Sequence, residues 1–226
     1  MRWLQEYLSN PAITTALWPA FVETLQMVGI ASLVTIILGL PLGVALHVSQ
    51  PGGLAPQRIV NLVLSEIIVN ITRAIPYAIL MIALIPFTRF LVGTSIGPIA
   101  ASVSLSIAAI PFFARLVEAS LRDVHPGKGD AAVAMGSTRV QTVWKVLIPE
   151  AMPSLVAGMT TTVVTLIGYS AMAGLIGGGG LGRLAYNYGY QRFQSEVMIT
   201  TLVLLVGMVM IVQFAGDRLI RRVDHR

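Results

Sequence analysis

Five long runs of this 226-residue chain carry little or no charge, at about 22–46, 59–86, 96–117, 152–176 and 196–216. Each supplies the roughly 20 apolar residues that a helix needs to cross the hydrocarbon core of a bilayer. Inside that core no water satisfies backbone N–H and C=O groups, so a helix, which pairs them within one segment, is favoured. The runs predict an all-α integral membrane protein with five transmembrane helices per chain. Composition agrees, since 11% charged residues and a mean hydropathy of +0.80 are too apolar for a soluble domain of this length. The second run is the least regular, because it contains Glu66, Asn70 and Arg73 and is long enough to tilt or break.

Three regions are expected. Residues 1–20 form an amino-terminal interfacial segment, with Trp3, Leu4, Tyr7 and Leu8 at helical spacing and Asn10-Pro11 ending the helix. Arg2 is followed by no cleavable apolar core, so this is not a secretory signal. Residues 21–216 form the membrane domain, and 217–226 a basic cytoplasmic tail. Lysines and arginines in the short loops set the orientation. With the amino terminus outside, the inner side carries Arg58, Arg115, Arg122, Lys128, Arg139, Lys145, Arg218, Arg221, Arg222 and Arg226. The outer side carries Arg2, Arg89, Arg183 and Arg192. Ten against four puts the carboxyl terminus and the 118–150 loop in the cytoplasm. Topology thus explains the net charge of +5, which does not point to nucleic acid. Without cysteine there is no disulfide or thiolate metal site, and His47, His125 and His225 are scattered. No internal repeat is visible, which argues against an ion-coupled carrier of two inverted halves within one chain. Five helices enclose little space, so a path between two copies, and hence a homodimer, is expected.

The stretch GDAAVAMGSTRVQTVWKVLIP (129–149) looks soluble amid these runs. His125-Pro126-Gly127 reads as a turn, Asp130 as the start of a short helix, and Gly136 as its left-handed stop. Thr138 and Gln141 have capping-box spacing for a second helix, in which Val140, Val143, Trp144 and Leu147 form one apolar stripe and Pro149 marks the end. Two readings fit these residues: an amphipathic linker on membrane lipid headgroups, or a helix pair whose alanines let a protein partner come close.

The order Asp130-Ala131-Ala132, three residues, Gly136, nine residues, Val146, one residue, Ile148-Pro149 resembles the signature of bacterial ABC importer permeases. That signature reads Glu-Ala-Ala, Gly and Ile-x-Leu-Pro at the same spacing, so three positions carry conservative replacements. The resemblance implies a type-1 permease domain over 21–216 whose 129–149 loop couples to a separate ATPase. Asp130 would make a polar contact, Ala131 and Ala132 would permit close docking, and Gly136 would hold the bend; Arg139 and Pro149 complete the coupling set. Four further strings, VGTSIG (92–97), GYSAMAG (168–174), GGGGLG (177–182) and QFAGDR (213–218), resemble the methionine-import permease family. The likeness covers roughly residues 20–220. It implies a homodimer in the bacterial inner membrane, two ABC ATPase subunits holding ATP and Mg, and an external substrate-binding protein delivering L- or D-methionine. Another amino acid or a short peptide fits the same architecture. The ten methionines do not identify the cargo, because methionine is a common filler of apolar cores.

Other motifs carry plainer alternatives. Gly177, Gly179 and Gly182 match GxGxxG, but a membrane run precedes them where a dinucleotide site needs a strand. They read as a tight turn near the outer mouth or as a contact to cargo. No GxxxxGK[ST] occurs, so no cofactor is expected on this chain, and ATP belongs to a partner. Glu66, Asn70 and Arg73 share one helix face and must pair or meet water, since a charge at mid-membrane costs about 2.5–3.5 kcal/mol. Helix packing and a role in the path both remain open for this polar cluster, and Pro76 is expected to kink its span. Tyr169, Ser170 and Met172 are candidates to line or gate the path, with ordinary packing as the alternative. Gly39 and Gly43 need no role beyond close packing. No catalytic triad, carboxylate pair or metal-ligand set is present, so the chain reads as a non-catalytic subunit.

Overall fold

The computed structural model describes residues 10–224, and all regular structure among them is helical. The first helix, α1 (Ala12–Ser49), runs unbroken for 38 residues. Asn10-Pro11 opens it, with Asn10 Oδ1 accepting the Ala12 N–H at 2.9 Å. Residues 12–20 are thus continuous with a long apolar helix; residues 1–9, on which the expected interfacial helix falls, lie outside the described residues.

The run expected as one span at 59–86 is broken. Helices α2 (Arg58–Ala74) and α3 (Tyr77–Ala83) are bent by 102°. Pro76 explains the break: its ring disfavours helical backbone at the preceding residue, and Ile75 is extended at φ −82°, ψ 124°. The expected kink is thus a sharp corner. After α3 come α4 (Ile85–Val92), α5 (Pro98–Arg122), α6 (Pro126–Ala134), α7 (Arg139–Gly178), α8 (Gly180–Leu184) and α9 (Ser195–Val223). Among the described residues four helices, α1, α5, α7 and α9, are long and apolar enough to cross a membrane, and α2 with α3 make a fifth if counted as one span.

The chain divides into two compact units. One takes the residues up to Leu33, then Pro76–Ile107 and Val163–Val212; the other takes Val34–Ile75, Ala108–Thr162 and the residues from Gln213. The core of the second unit is built from Phe113, Val117 and Leu121 of α5 with Val143, Leu147, Ala151 and Leu155 of α7, flanked by Ile36, Leu40 and Val44 of α1. Small residues bring the backbones together. A β-carbon on Gly43 would stand 2.5 Å from Val117 Cβ, and one on Gly39 would stand 2.9 Å from the Phe113 ring. The packing role expected of this glycine pair is what the structure contains. The first unit is organised about the glycine-rich segment between α7 and α8, described with the site below.

Outward faces are apolar. On α9, Ile199, Leu202, Val203, Val206 and Met210 are all exposed, the inverse of a soluble surface and suited to lipid or to another helix.

Candidate coupling loop and intramembrane polar site

In the 129–149 loop the ends of the helices are tied by local chemistry. Helix α6 starts at Pro126, not at Asp130: proline suits a first helical position, and His125 Nδ1 accepts the Gly127 N–H at 3.1 Å. The expected turn at His125-Pro126-Gly127 is thus a helix start, and Asp130 stands in the second turn. Gly136 does stop the helix in the left-handed region, at φ +85°. The Ser137 N–H reaches Ala132 O at 3.0 Å and the Gly136 N–H reaches Val133 O at 2.9 Å, the paired bonds of a Schellman ending. Two residues later the capping box forms: Gln141 N–H donates to Thr138 Oγ1 at 3.3 Å, and Thr138 N–H donates to Gln141 Oε1 at 2.9 Å. An ion pair between Lys128 of α6 and Glu150 of α7 braces the loop across its base.

The side chains sort by face. Ala132 is buried at 2% exposure, whereas Ala131, Asp130, Arg139 and Pro149 are exposed and Met135 is 81% exposed. Of the two alanines only Ala131 is open to another molecule; Ala132 lets α6 lie close to its own chain. The apolar stripe also divides, since Val143 and Leu147 enter the core while Val140 and Trp144 stay outside. Beside α6 lies a cleft of about 940 Å³ bordered by His47, Gln50, Arg122, Asp130 and Arg139.

The intramembrane cluster is assembled with a different cation. Asn70 Nδ2 donates to Glu66 Oε2 at 2.8 Å, as the helical spacing allows. The arginine facing them is Arg115 of α5, not Arg73: its Nη2 donates to Asn70 Oδ1 at 2.8 Å and to Ser65 Oγ at 2.6 Å. Arg115 Nη1 in turn pairs with Glu118 at 2.7 Å, and Arg122 pairs with the other oxygen of Glu118 at 2.5 Å. Glu118 is only 5% exposed, so two cations of its own helix meet one buried carboxylate. Arg73 lies over the Phe112 ring, 5.9 Å from its centre. Arg115, Glu118 and Arg122 recur at three and four residues, the one sequence signal that could have found this network.

The path candidates separate. Tyr169 stacks on Tyr77 with ring centres 4.6 Å apart and planes 3° from parallel. Tyr77 Oη lies 3.4 Å from Ser104 Oγ. Ser170 is buried and donates to Ile167 O of its own helix at 2.7 Å, so its hydroxyl is already used. Met172 is 39% exposed, on one face with Gly168 and Leu175.

The glycine-rich segment is a built turn. Gly177, Gly179 and Gly180 all have positive φ, between 73° and 97°. Glu23 Oε2 accepts the Gly180 N–H at 2.6 Å and Thr24 Oγ1 accepts the Leu181 N–H at 2.9 Å, so two α1 side chains cap α8. Arg183 stands 3.7 Å from the same Glu23 oxygen. Neither Glu23 nor Thr24 stood out in the sequence, because their partners lie 157 residues away.

Residues 39–226 match the family described as binding-protein-dependent transport system inner membrane component. The chain is 48% identical, over 97% of its length and 95% of the relative's, to the probable D-methionine transport system permease protein MetI of Vibrio cholerae. It is 44% identical, over 98% and 99%, to the methionine import system permease protein MetP of Bacillus subtilis. Among solved structures, a chain of the inward-facing MetNI methionine ABC transporter superposes with a TM-score of 0.90 at 48% identity, covering 92% of this chain and 96% of that one.

Proposed function

Because the chain belongs to the inner-membrane components of binding-protein-dependent transport systems, and among these to the methionine transport permeases, we propose that it is the membrane subunit of an ATP-driven importer that carries methionine. Two copies form the path, two ABC ATPase subunits seat against the 129–149 loops, and an external binding protein delivers the cargo. The amino terminus faces outside, the carboxyl terminus faces the cytoplasm, and α2 with α3 complete five spans.

The observation that carries this reading is the braced helix–turn–helix. Helix α6 joins α5 through Asp123, Val124 and His125 and joins α7 through a Schellman ending and a capping box, so the loop has little slack. A displacement of α6 is therefore handed to α5 and α7. Asp130, Ala131 and the exposed Val133 and Met135 supply the surface that an ATPase groove would take. ATP-driven closure of the ATPase pair pushes on this surface and opens the outer side, and hydrolysis returns the path to the cytoplasm. Such driving requires contacts that differ between the two states. Tyr169, stacked on Tyr77, and the exposed Met172 are the residues we place nearest the path.

Reconstituted with both partners in vesicles, the chain should take up labelled methionine only when ATP and the binding protein are present. Uptake that persists without the ATPase and collapses with an uncoupler would instead identify an ion-coupled carrier.

Gly136→Leu separates docking from folding. A β-carbon there meets nothing within 4 Å, and the left-handed backbone costs a side chain roughly 1–2 kcal/mol. The variant should reach the membrane at near-normal abundance yet lose uptake and ATPase association. Normal uptake at normal abundance would remove the loop from the coupling role.

A further inference from the structure

We infer that a groove between α1 and the start of α7 is a binding site for an anionic phospholipid, with an acyl chain lying in the groove and the headgroup phosphate on Arg139. The groove encloses about 300 Å³, bordered by Pro41, Val44 and Val48 of α1 and by Arg139, Val140 and Trp144 of α7. Its walls are apolar and its one charged group is the Arg139 guanidinium. That side chain has no acidic partner among the described residues.

Three observations select a lipid as the occupant. The groove continues a stripe of α1, Ile37, Pro41, Val44 and Val48, spaced at four, three and four residues on a helix long and apolar enough to cross a membrane. Ile37 is 58% exposed and Pro41 is exposed too, so an alkyl chain packed along the stripe enters the groove without a break. Val140 and Trp144 are 67% and 59% exposed, although both are apolar and stand on a helix whose opposite face is core. Tryptophan is favoured where a bilayer meets water, because its ring is apolar and its indole N–H is not. Finally, the charge is matched: a planar guanidinium at the rim takes a phosphate through two parallel hydrogen bonds. Arg139 also borders the cleft beside α6, so a lipid held there would sit next to the coupling loop.

The inference does not depend on the cargo. It is tested with the complete transporter in vesicles of three parts phosphatidylcholine to one part phosphatidylglycerol, with a photoreactive benzophenone amino acid at position 140 and one lipid labelled at a time. Corrected for its share of the bilayer, phosphatidylglycerol should be captured about fivefold more than phosphatidylcholine, the ratio expected from about 1 kcal/mol for one basic residue at the surface. Arg139→Gln should bring the ratio to about one, and Ala45→Trp, which fills the groove, should lower capture of both lipids. Capture mainly of a polypeptide, equal capture of the two lipids, or a preference that survives Arg139→Gln would each overturn the proposal. Arg139 and Val140 are both exposed, so neither change threatens folding.

Discussion

Glu118→Ala should destabilise the chain by about 3–5 kcal/mol, the range for breaking a buried ion pair from one side. The carboxylate is 5% exposed and pairs with Arg115 at 2.7 Å and Arg122 at 2.5 Å. Its removal leaves the Arg115 guanidinium, whose side chain is only 23% exposed, with the neutral partners Ser65 and Asn70 among the described residues. The two arginines should respond differently. Arg122 is 61% exposed in its side chain, so Arg122→Ala should cost less than about 1 kcal/mol. Arg115→Met removes the cation that hydrogen-bonds Ser65 and Asn70 of α2 and should approach the Glu118→Ala effect, while Arg115→Met combined with Glu118→Leu should regain part of the loss. Abundance in membranes and thermal unfolding in detergent give the ranking. Equal, small effects of all three single variants would mean that the network does not hold α2 to α5.

Gly182→Ala should be about as damaging, at about 3 kcal/mol, the upper end of the usual cost of overpacking. A single added methyl would fall on the oxygen, carbon and α-carbon of Ala171, all backbone atoms that no rotamer change can move aside. From the other side, a β-carbon on Gly174 would stand 2.5 Å from the Arg183 nitrogen. This crossing seats α8 against α7 and leaves the Gly180 and Leu181 N–H groups facing Glu23 and Thr24. Gly29→Ala is the control: it lies in α1 with nothing within 4 Å of the added carbon. A mid-helix glycine-to-alanine change is worth roughly 0.5–1 kcal/mol in favour of the helix. If Gly182→Ala unfolds at the same temperature as the parent chain, the glycine-rich segment is not the packed turn described.

How far the site could be read in advance depended on the range of the interactions. The Thr138–Gln141 capping box, the left-handed Gly136 and the Asn70–Glu66 bond lie within four residues of one another, and each is found where spacing put it. Pro76 was visible as a disruption, although a proline alone does not say how large the bend will be, here 102°. Gly39 and Gly43 announced close packing without naming Phe113 and Val117 as what they pack on.

The amino-acid order on its own determined that the chain is helical and membrane-embedded, where most helices lie, and that one loop holds a short helix stopped at Gly136 and a second helix capped at Thr138. Pro149 does not end that second helix, which runs on as α7 to Gly178. Apolar run length, caps and proline act within a few residues, so a single strand of text contains them. The tertiary structure alone decided that Arg115 and not Arg73 answers Asn70, that Ala132 turns inward while Ala131 stays out, and that Glu23 caps a helix 157 residues later. Helical period states which residues share a face; it does not state which other helix that face will meet. Only packing, settled by where glycines let backbones approach, makes that choice.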